Sequence, residues 1–195
     1  MKLDGASLSV LILVGSASAS SSTRTLAYAV EEGLSAHGVT VHVWTETVLP
    51  FVDGELGQAA LGCGNAEVRR LIALADAVDG FVLASPVYHN SYSGALKNML
   101  DHLSVTQFRY KPVGLLSHAG TRSAQALDQL RIVVRGLNGL ALPAQICTIP
   151  EDYRETGTGQ RTLVSELVIS RLDRFVREMV VLGAQLREAR PVLCA

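Results

Sequence analysis

A short apolar run, a loop and then a segment of helical period recur five times along this chain, and no other feature constrains its fold as strongly. The first run, Leu8-Ser9-Val10-Leu11-Ile12-Leu13-Val14, is nearly continuous in apolar residues. A parallel strand covered by helices on both faces requires such a run. Residues 23–36 then put Leu26, Val30 and Leu34 on one helix face, and Gly38 stops the helix. Residues 39–44 alternate apolar and polar, which predicts a strand near a sheet edge. Residues 49–65, with Pro50, Gly54, Gly57, Gly62 and Gly64, read as a loop.

The pattern then repeats. Asn65 caps a helix facing inward through Val68, Leu71, Ile72 and Ala75. A buried strand over 81–85 is stopped by Pro86. Ser93 caps a third helix carrying Leu96, Met99, Leu100 and Leu103. Strand four covers 113–117. Thr121 caps helix four, with Leu127, Leu130, Val134 and Leu137 inward and Gly139 closing it. Strand five covers 142–149, with Pro143 tolerated best at an edge. Gly157 and Gly159 lead into a last helix over roughly 161–188, with Leu163, Leu167, Leu172, Val176, Met179 and Leu186 on its apolar face. Alternating strands and helices joined by right-handed crossovers predict an α/β, three-layer, doubly wound, five-stranded parallel sheet of order 2-1-3-4-5. Nearly half of the 195 residues are hydrophobic and 18% charged, enough for a sizeable core. No linker divides the chain, so residues 1–195 read as one domain.

In such a sheet ligands bind beyond the carboxyl ends of the strands, at the switch in strand order. That selects three loops. The first is Gly15-Ser16-Ala17-Ser18-Ala19-Ser20-Ser21-Ser22-Thr23, which joins a buried strand to a helix start. Free N–H groups, the positive helix end and many hydroxyls there suit a phosphate monoester. The loop lacks the Gly-Lys-Ser/Thr ending of a nucleoside-triphosphate loop and has one glycine of the dinucleotide fingerprint. The second loop, residues 85–93 (Ser85-Pro86-Val87-Tyr88-His89-Asn90-Ser91-Tyr92-Ser93), would wall a flat ligand with its amides and the Tyr88 ring, and Gly94 would let the next helix start approach closely. The third is Ser117-His118-Ala119-Gly120-Thr121-Arg122, whose amides and Arg122 could meet one edge of a bound ring. Each loop alone is also compatible with an ordinary capped connection.

Together they carry a resemblance. Ser85-Pro86-Val87-Tyr88, then Ser93-Gly94-Ala95-Leu96-Lys97-Asn98, then Leu100-Asp101 is similar to a stretch of the NAD(P)H-dependent FMN reductases of the flavodoxin-like fold. Gln107-Phe108-Arg109-Tyr110-Lys111-Pro112-Val113 and Arg131-Ile132-Val133-Val134-Arg135-Gly136-Leu137 look like the azobenzene reductase branch. The resemblance covers residues 10–149. It implies an oxidoreductase that passes hydride from NADPH or NADH to FMN and on to a small-molecule electron acceptor such as free flavin, a quinone or an azo compound. Ser16, Ser18, Ser21, Ser22 and Thr23 would hold the FMN phosphate. Pro86, Val87, Tyr88, His89 and Asn90 would line the ribityl chain and ring, and Ser117, His118, Ala119 and Gly120 would face the pyrimidine edge. Many members carry arginine where this chain has Ser18, and a basic residue at the position of Ser22. A hydride step needs no dedicated acid or base, so no side chain is assigned as catalytic. The resemblance also implies a homodimer or homotetramer, and in the sequence the loop 49–65 and the long last helix could provide an apolar interface.

Charge and cysteine usage narrow the remaining classes. Seventeen basic against 18 acidic residues give a formal charge of −1, so no nucleic-acid or anionic membrane partner is expected. The same near-neutrality argues against an acidic flavodoxin-like electron carrier, the main competing reading. A serine hydrolase is disfavoured because no Gly-x-Ser-x-Gly elbow is present. No apolar run approaches the length of a membrane span, and the N-terminus lacks an export signal, which predicts a cytoplasmic protein. Cys63, Cys147 and Cys194 fit neither a disulfide framework nor a metal site, and none is expected.

Overall fold

The computed structural model describes residues 8–52, 64–157 and 161–195. Five strands form one parallel sheet: β1 (Ser9–Val14), β2 (Thr40–Trp44), β3 (Gly80–Tyr88), β5 (Pro112–His118) and β6 (Leu140–Thr148), in the order β2-β1-β3-β5-β6. A two-residue strand, β4 (Ser91–Tyr92), pairs antiparallel with the end of β3. Counting the parallel strands alone, this is the doubly wound order 2-1-3-4-5. Helices α1 (Ser22–Ser35) and α6 (Glu166–Leu193) cover one face, and α2 (Ala66–Ala77), α3 (Gly94–Asp101), α4 (Val105–Phe108) and α5 (Gln125–Gly136) cover the other.

The continuous apolar strands follow from burial on both faces. Alternate residues of β1 point to opposite sides, so Leu11 and Leu13 join the core beneath α2, α3 and α5, while Val10, Ile12 and Val14 pack under α1 and α6. Beside them, Phe81 and Leu83 line the first face and Val82 and Ala84 the second. Trp44, Phe81, Phe108 and Phe175 are the largest fully buried side chains. Phe175 of α6 lies against Gly114 of β5, where an added Cβ would stand 2.1 Å from its ring. The missing side chain is therefore what lets α6 approach the sheet.

Several expected boundaries shift. Pro86 does not stop β3, which runs on to Tyr88. Pairing of β1 with β3 ends at Val14 and Ala84, and the Ala84 carbonyl faces the β1 side, where it accepts the Gly15 N–H at 2.8 Å. Pro86 falls between the last pair with β1, at Ala84, and the first pair with β4, at Val87, so its absent N–H breaks no bond of either ladder. Pro143 sits in β6 at an irregularity where pairing jumps from Val113 opposite Ala141 to Leu115 opposite Gln145. Thr121 does not cap helix four. That helix starts at Gln125, four residues later, without a side-chain cap, and Leu137 lies just beyond its end.

The last helix starts at Glu166, not at 161. Residues Tyr153–Glu155 (β7) and Arg161–Leu163 (β8) instead form an antiparallel pair, so Leu163 belongs to a strand. Of the expected loop at 49–65, positions 53–63 (with Gly54, Gly57, Gly62 and Cys63) lie outside the described residues, as does Gly159. No helix among the described residues is long and apolar enough to cross a membrane.

Candidate functional site

The carboxyl ends of β1, β3 and β5 lie side by side, so the three loops selected from the sequence meet there. Hydrogen bonds from Ser93 and Tyr153 fasten this end of the sheet. Ser93, at the start of α3, donates Oγ–H to the Gly15 carbonyl at 2.7 Å. Tyr153 reaches from β7 with its hydroxyl 3.2 Å from the Ser22 carbonyl and 3.0 Å from Thr148 Oγ1.

In the first loop, Ser16, Ser22 and Thr23 are buried and Ser18 is exposed. Ser21 caps α1, its Oγ accepting the Arg24 N–H at 3.2 Å. The N–H groups of Ser22 and Thr23 have no acceptor within the helix. Thr23 Oγ1 is buried with no hydrogen-bond partner. Ser18 Oγ lies 3.4 Å from Ser20 Oγ, and the Ser21 N–H returns to the Ser18 carbonyl, bending the loop around. Ser22 Oγ accepts from Arg161 Nη1 at 2.8 Å, so this hydroxyl is already engaged. Arg24 extends a guanidinium N–H towards the Ser16 carbonyl at 3.5 Å. A strand-to-helix bend with open amide donors, a partnerless hydroxyl and guanidinium groups at its border fits a phosphomonoester.

The second loop is a tight hairpin. Val87 pairs with Tyr92 and Tyr88 with Ser91, leaving His89 and Asn90 as its two turn residues. Both take positive φ, 49° and 65°, as a two-residue hairpin turn matched to strand twist demands. Gln129 of α5 steadies this tip, donating to the Asn90 carbonyl at 3.0 Å and accepting from Ser91 Oγ at 2.6 Å. Pro86 is buried and Val87 half-buried, while Tyr88 is 57% exposed, leaving its ring available to a planar ligand. The close approach expected at Gly94 occurs at Gly15. A Cβ there would stand 2.5 Å from Ser93 Oγ and 2.7 Å from Leu96 Cβ, whereas one on Gly94 would meet nothing within 4 Å.

The third loop leaves β5 at Ser117, which is buried. Its carbonyl accepts Thr148 Oγ1–H at 3.1 Å, and the Ala119 N–H reaches the Thr148 carbonyl at 3.1 Å. His118 Nδ1 lies 3.1 Å from Thr148 Oγ1, and its ring meets the Tyr153 ring edge-on with centroids 5.5 Å apart. Burial lowers the His118 pKa below its usual value, the nearby Arg161 charge adds to this, and Asp152 opposes it. Burial pushes the Tyr153 phenol up to about 12. Gly120 is exposed, with open space where a Cβ would be. Arg122 turns away from the expected ring edge. Its Nη2 binds both carboxylate oxygens of Asp152, at 2.8 and 2.9 Å. Burial alone would raise the Asp152 pKa, but the bonds from Arg122 and the Ile149 N–H outweigh it and hold it below the usual carboxylate range.

The loops therefore come together with most of the selected residues, and the structure adds Thr148, Tyr153, Arg161 and Gln129. These four lie on β6, the β7–β8 pair and α5. One sequence signal for the pair exists: two short stretches flank the glycines at 157 and 159. No group of three or more metal-ligating side chains occurs among the described residues.

Comparison with known proteins gives a consistent picture. The family model described as NADPH-dependent FMN reductase matches residues 8–153. An FMN-dependent NADPH-azoreductase of Staphylococcus saprophyticus is 35% identical over 173 residues, covering 87% of this chain and 92% of the relative. One from Staphylococcus aureus aligns with the same identity and coverage. Among solved structures, a flavoenzyme NAD(P)H:(acceptor) oxidoreductase from Paracoccus denitrificans superposes with a TM-score of 0.74 at 20% identity, covering 91% of this chain and 98% of that one. The apo form of an NADH:FMN oxidoreductase gives 0.71 at 22%, covering 90% and 89%. A flavodoxin from Streptococcus pneumonia shares the fold at 0.57 and 15%, covering 90% and 99%.

Proposed function

Because the chain belongs to the NADPH-dependent FMN reductase family, we propose that its three convergent loops form the FMN site of a reductase that draws on NADPH and serves a small electron acceptor. FMN, when bound, supplies the hydride-accepting chemistry, and the protein supplies position and field. Ser16, Ser18, Ser21 and Thr23 would hold the phosphate with the open amides of α1. Pro86, Val87 and Tyr88 would support the ribityl chain and ring, with His89 and Asn90 shaping the hairpin that presents them. The amides after Ser117, at His118, Ala119 and Gly120, would meet the pyrimidine edge. Burial, which lowers the His118 pKa, favours its neutral form, so the side chain would bring no positive charge to that edge. Free flavin, quinones and azo compounds are the acceptor classes an open stacking site admits.

The observation that carries this reading is the convergence itself. Three loops distant in sequence are tied at one end of the sheet by Ser93 to Gly15 and by Tyr153 to Ser22, around a helix start with open donors. The test is the absorbance of the purified protein. Flavin bands that bleach anaerobically on addition of NADPH, with steady-state NADPH oxidation, are expected. A stoichiometric FMN protein that turns over no nicotinamide would favour the electron carrier instead.

The whole chain is taken as one domain, residues 1–195, working in the cytoplasm as a homodimer or homotetramer. Exposed apolar side chains on α6 (Leu167, Ile169, Leu182 and Leu193), with Val48 and Phe51 after β2, support an interface. Light scattering after size exclusion tests it, since a 20.8 kDa monomer would overturn the assembly.

A further inference from the structure

The first loop has a charge problem. Residues 15–23 contain eight small neutral side chains after Gly15 and no lysine or arginine. A phosphomonoester brings about 1.5 to 2 negative charges at neutral pH. Amides and hydroxyls can solvate that charge, but no cation within the loop balances it.

We propose that Arg161, carried in by the β7–β8 hairpin, is the cation that grips the flavin phosphate at the first turn of α1. Its Nη1 already stands on Ser22 Oγ at 2.8 Å, at the first residue of the helix. Tyr153, on the paired strand, points its hydroxyl at the carbonyl of the same Ser22. The hairpin is thus clamped to the helix start from both strands, which fixes where the guanidinium sits. The hairpin base is held as well, because the Val164 N–H donates to the Asp152 carbonyl at 2.8 Å. Arg161 has no carboxylate within ion-pair distance among the described residues, although Glu155 faces it across the pair. Among the described residues its charge is therefore not consumed by a carboxylate, and a planar fork with further N–H groups remains for phosphate oxygens. One residue along the helix, the buried and partnerless Thr23 Oγ1 marks a polar position that the protein itself leaves unfilled. Arg161 also lies beyond the 8–153 span matched by the family model.

This inference rests on the FMN reading of the site and adds to it the residue that distinguishes FMN from riboflavin. The test titrates apo-protein with each flavin and follows flavin fluorescence, for the unaltered chain and for Arg161→Gln and Arg161→Lys. The expected result is an FMN dissociation constant raised about tenfold or more in Arg161→Gln, as loss of a charge-assisted contact implies. Riboflavin affinity should not change, and Arg161→Lys should recover part of the loss. The salt dependence of FMN binding should also flatten in Arg161→Gln. Equal weakening of both flavins would make Arg161 a strut of the hairpin and overturn the proposal, as would unchanged FMN affinity. An unaltered protein that binds neither flavin would overturn the site and this assignment together, an outcome separable from the other two.

Discussion

Ser21 caps α1 at the point where the proposed phosphate seat lies. Its Oγ accepts the Arg24 N–H, a task an aspartate performs equally well. Ser21→Asp should therefore keep the thermal stability of the protein within about 1 kcal/mol. The added carboxylate would face the phosphate dianion, so FMN affinity should fall tenfold or more on Coulomb grounds, with ordering of roughly 1–4 kcal/mol. Riboflavin, lacking the phosphate, should bind as before, and flavin titration reads both. Unchanged FMN affinity would mean the phosphate sits elsewhere. Gly15 makes the opposite kind of prediction. A methyl group there would collide with Ser93 Oγ and Leu96 Cβ, so Gly15→Ala should cost about 1–3 kcal/mol by denaturant unfolding and weaken both flavins alike. At this scale the sequence was partly legible. Ser93 could be read as a cap, and it is one, but its second bond to Gly15 spans 78 positions and no local pattern announces it. Asn98 of the same helix and His102 just past its end likewise hold the distant Leu49 and Pro50 carbonyls. Part of the family-like stretch is thus scaffold that fixes the loops, with no need for its side chains to touch a ligand.

The long elements announced themselves through period and length, and the short ones did not. Strands of the sheet interior had to be apolar throughout, and helices had to show one apolar face, so both left clear traces. The pairs β3–β4 and β7–β8 contain two or three residues on a side, too few for a period to emerge. For the first of them, the turn at His89 and Asn90 depends on left-handed backbone at both positions, which only the Asn hints at. Helix α2 shows how an element can carry a measurable electrostatic signature. Lys111 is buried and donates Nζ–H to the Ala75 carbonyl at 3.0 Å, near the end of that helix. Burial lowers its pKa from 10.5 to about 8, with the Arg190 charge assisting and Asp76 and Asp79 opposing. Between those pH values the unfolded chain holds a proton that the folded chain has released, so stability rises with pH across the window. Tyr153 acts in reverse above pH 10, because its folded pKa near 12 exceeds the usual 10.0. Thermal melts from pH 8 to 10 should therefore show a stabilising slope that disappears in Lys111→Met. A slope that survives in the variant would assign it to another group.

Across the whole molecule, the two ends of the sheet do different work. At the carboxyl end lie the three loops and the hairpin. At the amino end, Asp79 ties three elements together: its Oδ2 accepts the Ser9 N–H at 3.1 Å and the Ser9 hydroxyl at 3.2 Å, while Oδ1 pairs with Arg190 of α6 at 2.9 Å. Phe175, packed against Gly114, fastens the same helix to the sheet. Helix α6 is thus anchored at the end of the sheet opposite the proposed flavin site. The segregation predicts a separation of effects. Asp79→Ala leaves Arg190 without this partner and the Ser9 N–H without its acceptor, and should lower stability by about 1–3 kcal/mol. Flavin affinity should stay within about twofold, because no bond of Asp79 reaches the loops and distant sites couple weakly. Paired with Ser21→Asp, which should move affinity and spare stability, the two variants form a crossed test read by melting and by flavin titration. If Asp79→Ala loosens flavin as much as it loosens the fold, the loops draw their order from the far end of α6, and the division of labour between the sheet ends is wrong. If the two effects stay apart in the double variant and simply add, the sheet itself insulates the site from its anchor.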